Sequence, residues 1–229
     1  MEERLHELTK VMAHLQPHEV FEIAGIPVTT TVFTTWIMMA ILILIAFVTT
    51  RKLSLVPRGW QHLPELAVEF IFGVIDPVLG KNGRKYLPLI GTLFMLILFL
   101  NLAWFIPIFK PPTMDLSTTA AFAITIIILV QLIGIKEKGI KHYLKHWISP
   151  SIAMMPLNVI EEMVKPVSLS LRLFGNMFGE EMVVAILFIL MPLFVPIPLQ
   201  VLGVLMGFIQ AFVFTLLSVA YIHSITAGH

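Results

Sequence analysis

The chain has 229 residues, 58% of them hydrophobic and 13% charged, with a mean hydropathy of +0.92, too apolar for the surface of a water-soluble domain. Fifteen Lys and Arg against fourteen Asp and Glu leave a formal charge of +1, so no net field gathers nucleic acid or another polyanion. Zero cysteines exclude a disulfide framework, a thiolate metal site and a cysteine nucleophile. The class that remains is a polytopic, all-α membrane protein.

Met1 to Glu22 holds five glutamates before the first apolar run, whereas a cleavable signal opens on basic residues. Residues 1–25 are therefore expected to be an external N-terminal segment of the mature chain. Between Glu22 and Arg51 there is no Asp, Glu, Lys or Arg, enough for one span of about 20 residues over 26–50. Two more uncharged stretches meet the same length test, 86–109 between Lys85 and Lys110 and 116–135 between Asp115 and Lys136. In the 51–85 loop, Leu63 to Leu79 mixes apolar residues with Glu65, Glu69 and Asp76, the pattern of an amphipathic helix lying in the interface plane.

The last third, 156–229, follows the loop 136–155 and differs from the other spans. Pro156 to Leu190 carries Glu161, Glu162, Lys165, Arg172, Glu180 and Glu181 in an otherwise apolar, helix-compatible stretch. Pro192, Pro196 and Pro198 then interrupt the chain, leaving a second arm from about Leu199 to Ile222. Together these make a membrane-embedded helical hairpin with a charged first arm. Basic residues collect in the 51–85 loop (Arg51, Lys52, Arg58, Lys81, Arg84, Lys85) and the 136–146 loop (Lys136, Lys138, Lys141, Lys145), against Lys110 alone between the second and third spans. The positive-inside rule then places the N-terminus outside and the C-terminus in the cytoplasm, and the expected location is the cell inner (plasma) membrane. No inverted repeat of the transporter kind is evident.

Gly80-Lys81-Asn82-Gly83 lacks the Ser or Thr and the preceding strand of a phosphate loop, so no direct nucleotide binding and no nucleotide cofactor are expected. His142 and His146 have a chelating i, i+4 spacing, but beside Lys141 and Lys145 they read better as a solvated helix face, and no metal is expected. No triad, paired active-site carboxylates or zinc-spaced ligands mark a catalytic centre.

Arg172 stays charged at any accessible pH, and at bilayer depth that costs about 2.5–3.5 kcal/mol on insertion scales. Its partner is either structural, with Glu162, Glu180 or Glu181 as candidates, or functional. At about 100° per residue, Lys165, Ser168, Arg172, Gly175, Asn176, Gly179 and Val183 share one side of the helix. Gly175-x-x-x-Gly179, matched by Gly203-x-x-x-Gly207 on the second arm, has the spacing of close helix packing. Glu181 projects to the opposite side about 13.5 Å along the axis from Arg172, so a direct pair between them is disfavoured. On the second arm Gly203, Gly207, Gln210, Phe214, Leu217, Ser218 and Tyr221 share a face, which makes Gln210 the polar group expected to meet the first arm. One fixed cation, displaced carboxylates and no bond-making machinery suit the movement of ions. A stand-alone ion channel or secondary permease binding an anion at Arg172, or a scaffold whose charges only hold helices together, are the alternatives.

Lys165-Pro166-Val167-Ser168-Leu169-Ser170-Leu171-Arg172-Leu173-Phe174-Gly175-Asn176-Met177, with Glu181 nine residues after the arginine and Gln210-Ala211-Phe212-Val213-Phe214-Thr215 on the next arm, closely resembles the subunit a family of F-type rotary ATP synthases. Weaker agreement runs through 88–107, 112–118 and 218–222. The resemblance implies a long tilted hairpin lying against a rotating ring of c subunits, with peripheral-stalk b subunits and the rest of the F-type complex as further partners. In that arrangement ATP chemistry occurs on other subunits. It further implies that Arg172 is the stator arginine facing the ring carboxylates, with Asn176 and Gln210 beside it. Glu181 would be the acid lining an aqueous half-channel for H+ or Na+. One departure is visible: many members carry a titratable residue where Gly203 falls, and here an extra acid, Glu180, precedes Glu181.

Overall fold

The computed structural model describes residues 19–23, 26–51, 59–103, 111–139, 155–190 and 196–226. The expectations for residues 1–18, for His142 and His146, for the end of the second span and for the turn at Pro192 lie outside them. Among the described residues, six α-helices follow one short antiparallel strand pair. The strands are β1 (Glu19–Ile23) and β2 (Ile26–Thr29). The helices are α1 (Thr30–Thr50), α2 (His62–Leu79), α3 (Leu87–Leu102), α4 (Leu116–Lys138), α5 (Met155–Leu190) and α6 (Pro196–Thr226).

The first span therefore starts at Thr30 and not at residue 26. Pro27 has no N–H for a helix interior, and the β-branched Val28 and Thr29 beside it favour the extended pairing with Glu19–Ile23. Among the described residues four stretches, Thr30–Thr50, Lys81–Leu102, Leu116–Lys138 and Pro198–Thr226, are long and apolar enough to cross a membrane. Within α1, the hydroxyls of Thr34, Thr35 and Thr50 donate to carbonyls four residues back at 2.6–2.8 Å, so these polar side chains leave no unpaired donor in an apolar helix.

A three-residue turn, Pro112–Met114, leads into α4, whose N-cap is Asp115. The Asp115 carboxylate accepts from Ser117 N–H at 3.1 Å and from the Thr31 hydroxyl of α1 at 3.0 Å. One acid thus caps one helix and fastens another. Asp115→Ala is expected to cost about 1–2 kcal/mol, read as lower thermal stability in detergent, with Asp115→Asn retaining most of it.

α2 is amphipathic, as its pattern predicts. Ile71, Val74 and Ile75 are buried, while Leu63, Leu66, Glu65 and Glu69 are exposed. Its Phe70 meets Phe94 of α3 and Phe208 and Phe212 of α6 at ring distances of 5.3–5.7 Å. Gly80 ends the helix at φ 65°, a conformation that favours glycine. The Gly80–Gly83 stretch is then a tight turn after a helix, in which a side chain at Gly83 would collide with Leu79. Arg84 lies over the Phe72 ring and bonds Asp76, and this hydrogen bond holds the Asp76 carboxyl below the usual carboxylate range.

The core gathers Ile90, Leu93 and Ile97 of α3, Ala123, Ile126 and Val130 of α4, Leu169 and Leu173 of α5, and Ala211, Phe214 and Ile222 of α6. In lipid such burial gains little from the hydrophobic effect, because the alternative surroundings are equally apolar. Close packing and interhelical hydrogen bonds carry the association instead. By the same reasoning the exposed Ile43, Leu44, Phe47 and Val48 of α1 are ordinary for a lipid-facing surface.

Candidate functional site

α5 runs for 36 residues, about 54 Å, well beyond a hydrocarbon core about 30 Å thick, so it tilts or extends past the core. Pro156 lies in its first turn, where a missing N–H costs nothing. Leu169, Leu173 and Met177 repeat every four residues and are buried with Ser170, which fixes the helix against α4 and α6. The other side is open: Ser168, Arg172, Gly175, Asn176 and Val183 are exposed, with Lys165 and Gly179 half-buried. The face expected from helical periodicity therefore exists, and it points away from the bundle.

Arg172 sits near the middle of α5, and among the described residues it forms no ion pair. The three structural partners open to it are accounted for. Glu162 pairs with Lys165 at 2.7 Å and accepts from Gln131 of α4. Lys165 also reaches Glu161 at 3.5 Å and lies 5.4 Å from the centre of the Tyr221 ring of α6. Glu180 and Glu181 stand eight and nine residues further along, about 12–13.5 Å up the axis.

Asn176, one turn from Arg172, donates its Nδ2 to Gln210 Oε1 at 2.6 Å. Gln210 is buried and its Nε2 has no hydrogen-bond partner among the described residues. The sequence expectation that Gln210 meets the first arm is thus matched by the geometry. α6 holds its register through Gly207: Asn101 of α3 donates to the Gly207 carbonyl at 3.1 Å and accepts from the Thr113 hydroxyl at 2.9 Å. Asn101 and Thr113 are both buried, and sequence reasoning passed over them. Asn101 was detectable as an amide inside an otherwise uncharged span, where a polar side chain has to find a partner on another helix.

Within the described residues the glycines of the two pairs differ in their surroundings. A side chain at Gly175 or Gly179 would meet nothing within 4 Å, whereas one at Gly207 would lie 3.1 Å from Asn101 Cβ. Gly207 is indeed pressed against a neighbour, but on α3 and not on α5. Gly203 is buried in α6. Gly175 and Gly179 instead hollow out a groove of about 290 Å³, bounded by Asn176 and Glu180 on the α5 side and by Leu202 and Met206 of α6. One oxygen of Glu180 is buried without a hydrogen-bond partner among the described residues. No cluster of metal-binding side chains occurs among the described residues.

Fold and site together define a multi-pass membrane protein that presents, on an outward face, a guanidinium without an ion pair among the described residues, flanked by small and amide side chains. The family description ATP synthase A chain matches residues 32–223. ATP synthase subunit a of Moorella thermoacetica is 58% identical over 218 residues, spanning 95% of this chain and 100% of that protein. ATP synthase subunit a 1 of Syntrophotalea carbinolica is 44% identical over 82% of this chain and 81% of its own length, and ATP synthase subunit a of Geobacter sulfurreducens 42% over 82% and 83%. The chain belongs to the ATP synthase A chain family, and so is a membrane component of an ATP synthase complex.

Proposed function

We propose that this chain is the non-catalytic stator of the membrane sector. It passes H+ through two half-channels to and from carboxylates on a ring of c subunits, and peripheral-stalk b subunits hold it still. The observation that carries this reading is the exposed, unpaired Arg172 face. A charge at bilayer depth is disfavoured unless a partner compensates it, the described residues of this chain provide no ion pair for it, and a ring carboxylate supplies one. A cation beside a carboxylic acid lowers its pKa by about 1–3 units, so a protonated ring site arriving opposite Arg172 releases its proton. A discharged carboxylate is disfavoured facing lipid and must be reloaded before it leaves. Arg172 thereby separates the two half-channels and blocks a direct leak.

Asn176 and Gln210 brace the arginine's surroundings. Glu162, in the pair with Lys165, lies toward the N-terminal end of α5, and Glu180 and Glu181 toward its C-terminal end. With the N-terminus outside and the C-terminus in the cytoplasm of a cell whose plasma membrane holds the complex, Glu162 marks the cytoplasmic side and the other two acids the external one. Each charge crossing 100 mV releases about 2.3 kcal/mol, too little for one ATP under cellular conditions, so rotation must add the contributions of several ions.

The absence of cysteine makes the interface directly testable. Single cysteines at Ser168 or Val183 in the whole complex are expected to cross-link to a cysteine beside the ring carboxylate, and one at the buried Leu173 is not. Absence of cross-links from the exposed positions, together with transport by the purified chain alone, would favour a permease. Synthesis that survives a protonophore and follows a sodium gradient would reassign the ion to Na+.

A further inference from the structure

We propose that Glu162, steered by Gln131, masks Lys165, so that Arg172 is the cation a ring carboxylate meets on α5. This rests on the ion-translocation reading above. Lys165 stands seven residues before Arg172, which puts the two cations within about 20° of one another around the helix and about 10.5 Å apart along it. Both therefore start on the outward face, but their surroundings differ. Arg172 is exposed and forms no ion pair among the described residues, whereas the Lys165 side chain is only 19% exposed and is paired.

A cluster drawn from α4, α5 and α6 turns Lys165 aside. Glu162 lies seven residues before the buried Leu169 and so continues the bundle-facing stripe of α5. Its Oε2 accepts from Lys165 at 2.7 Å and its Oε1 from Gln131 of α4. The Tyr221 ring of α6 flanks the ammonium at 5.4 Å, and the exposed Glu161 reaches it at 3.5 Å. The ammonium is thus drawn from the outward face toward the seam of α5 with α4 and α6. Gln131 holds the carboxylate from a separate helix, so Glu162 does not follow Lys165 outward. A cation close to a carboxylic acid lowers its pKa whichever residue carries the charge. Released from Glu162, Lys165 on its flexible stem would put a second positive charge on the face of Arg172. A ring carboxylate would then have a second place to ionise and be held, and a site held there delays the turning ring.

The test follows ion-driven ATP synthesis per assembled complex in liposomes for Glu162→Gln and Gln131→Leu, each with and without Lys165→Gln, and for Arg172→Gln. Glu162→Gln is expected to lose about tenfold in rate, the equivalent of one pKa unit at the ring site, and Gln131→Leu to lose less. Adding Lys165→Gln should restore most of the rate in each. An acid that itself carried the ion would gain nothing from the loss of Lys165, so a double variant no faster than Glu162→Gln overturns the proposal, as does wild-type synthesis in Glu162→Gln. A second readout separates masking from mere support of the helices. Treated with a carbodiimide, which condenses a carboxylate with an adjacent amine, Glu162→Gln is expected to give an amide between Lys165 and the ring carboxylate that the wild type does not give. Absence of that amide overturns the proposal. If Glu162→Gln fails to assemble, the Gln131→Leu pair is read in the same way and decides alone. Loss in Arg172→Gln without rescue by Lys165→Gln removes this inference only, whereas full activity in Arg172→Gln removes the underlying function.

Discussion

Arg172→Ala is expected to reduce ion-driven ATP synthesis by about 100-fold or more, while ATP hydrolysis by the detached catalytic head continues at its normal rate. The size of the effect follows from electrostatics. A guanidinium next to a carboxylic acid shifts its ionisation by about 1–3 pKa units, so losing it leaves the ring site about 10 to 1,000 times less inclined to discharge. A second consequence has the opposite sign. With the cation gone, nothing positive separates the two aqueous sides, and passive ion leak through membranes carrying the variant should rise. Measuring synthesis, hydrolysis and leak on one preparation distinguishes this from misassembly, which would lower all coupling without raising leak. Retained synthesis would show that Arg172 is a structural charge.

Gly207→Val carries the second large effect, this time through packing. A Cβ at this position already lies 3.1 Å from Asn101 Cβ and 3.9 Å from its Nδ2, and valine adds two further methyl groups. Overpacking costs about 1–3 kcal/mol, and displacing the Asn101 amide from the Gly207 carbonyl removes an interhelical hydrogen bond worth about 0.6 kcal/mol on average in membranes. Because Gln210 follows three residues later on the same helix, a shift of α6 also draws it away from Asn176. The expected result is a lower thermal stability in detergent together with impaired coupling. Gly175→Ala, where no atom stands within 4 Å, should leave the stability of the isolated chain unchanged. Equal destabilisation by both substitutions would contradict the packing described here.

Much of this arrangement is legible in the residues alone. Uncharged runs between Glu22 and Arg51, and between Asp115 and Lys136, mark spans because a charge in hydrocarbon is expensive. The charged Pro156–Leu190 stretch is an exception for the same reason. The shared face of Ser168, Arg172, Gly175 and Asn176 follows from the helical repeat, and Gln210 was correctly expected to meet the first arm. The glycine pairs were less legible. Gly175-x-x-x-Gly179 and Gly203-x-x-x-Gly207 look alike in sequence, yet the first pair opens a groove and Gly207 packs on Asn101 of a third helix. A four-residue spacing shows that backbone approach is possible, but not which helix makes it.

Charge spacing and the helical repeat are enough to mark where the chain can cross a membrane, which side chains ride together on α5, and that the always-charged Arg172 sits among them. The packed structure alone shows that this face turns outward, that Glu162 is engaged by Lys165 and Gln131, and that Glu180 lines the groove between α5 and α6. The physical reason is the solvent. In water, hydrophobicity tells the inside of a protein from its outside, but in lipid both surroundings are apolar, so the direction of a face emerges only when the helices pack.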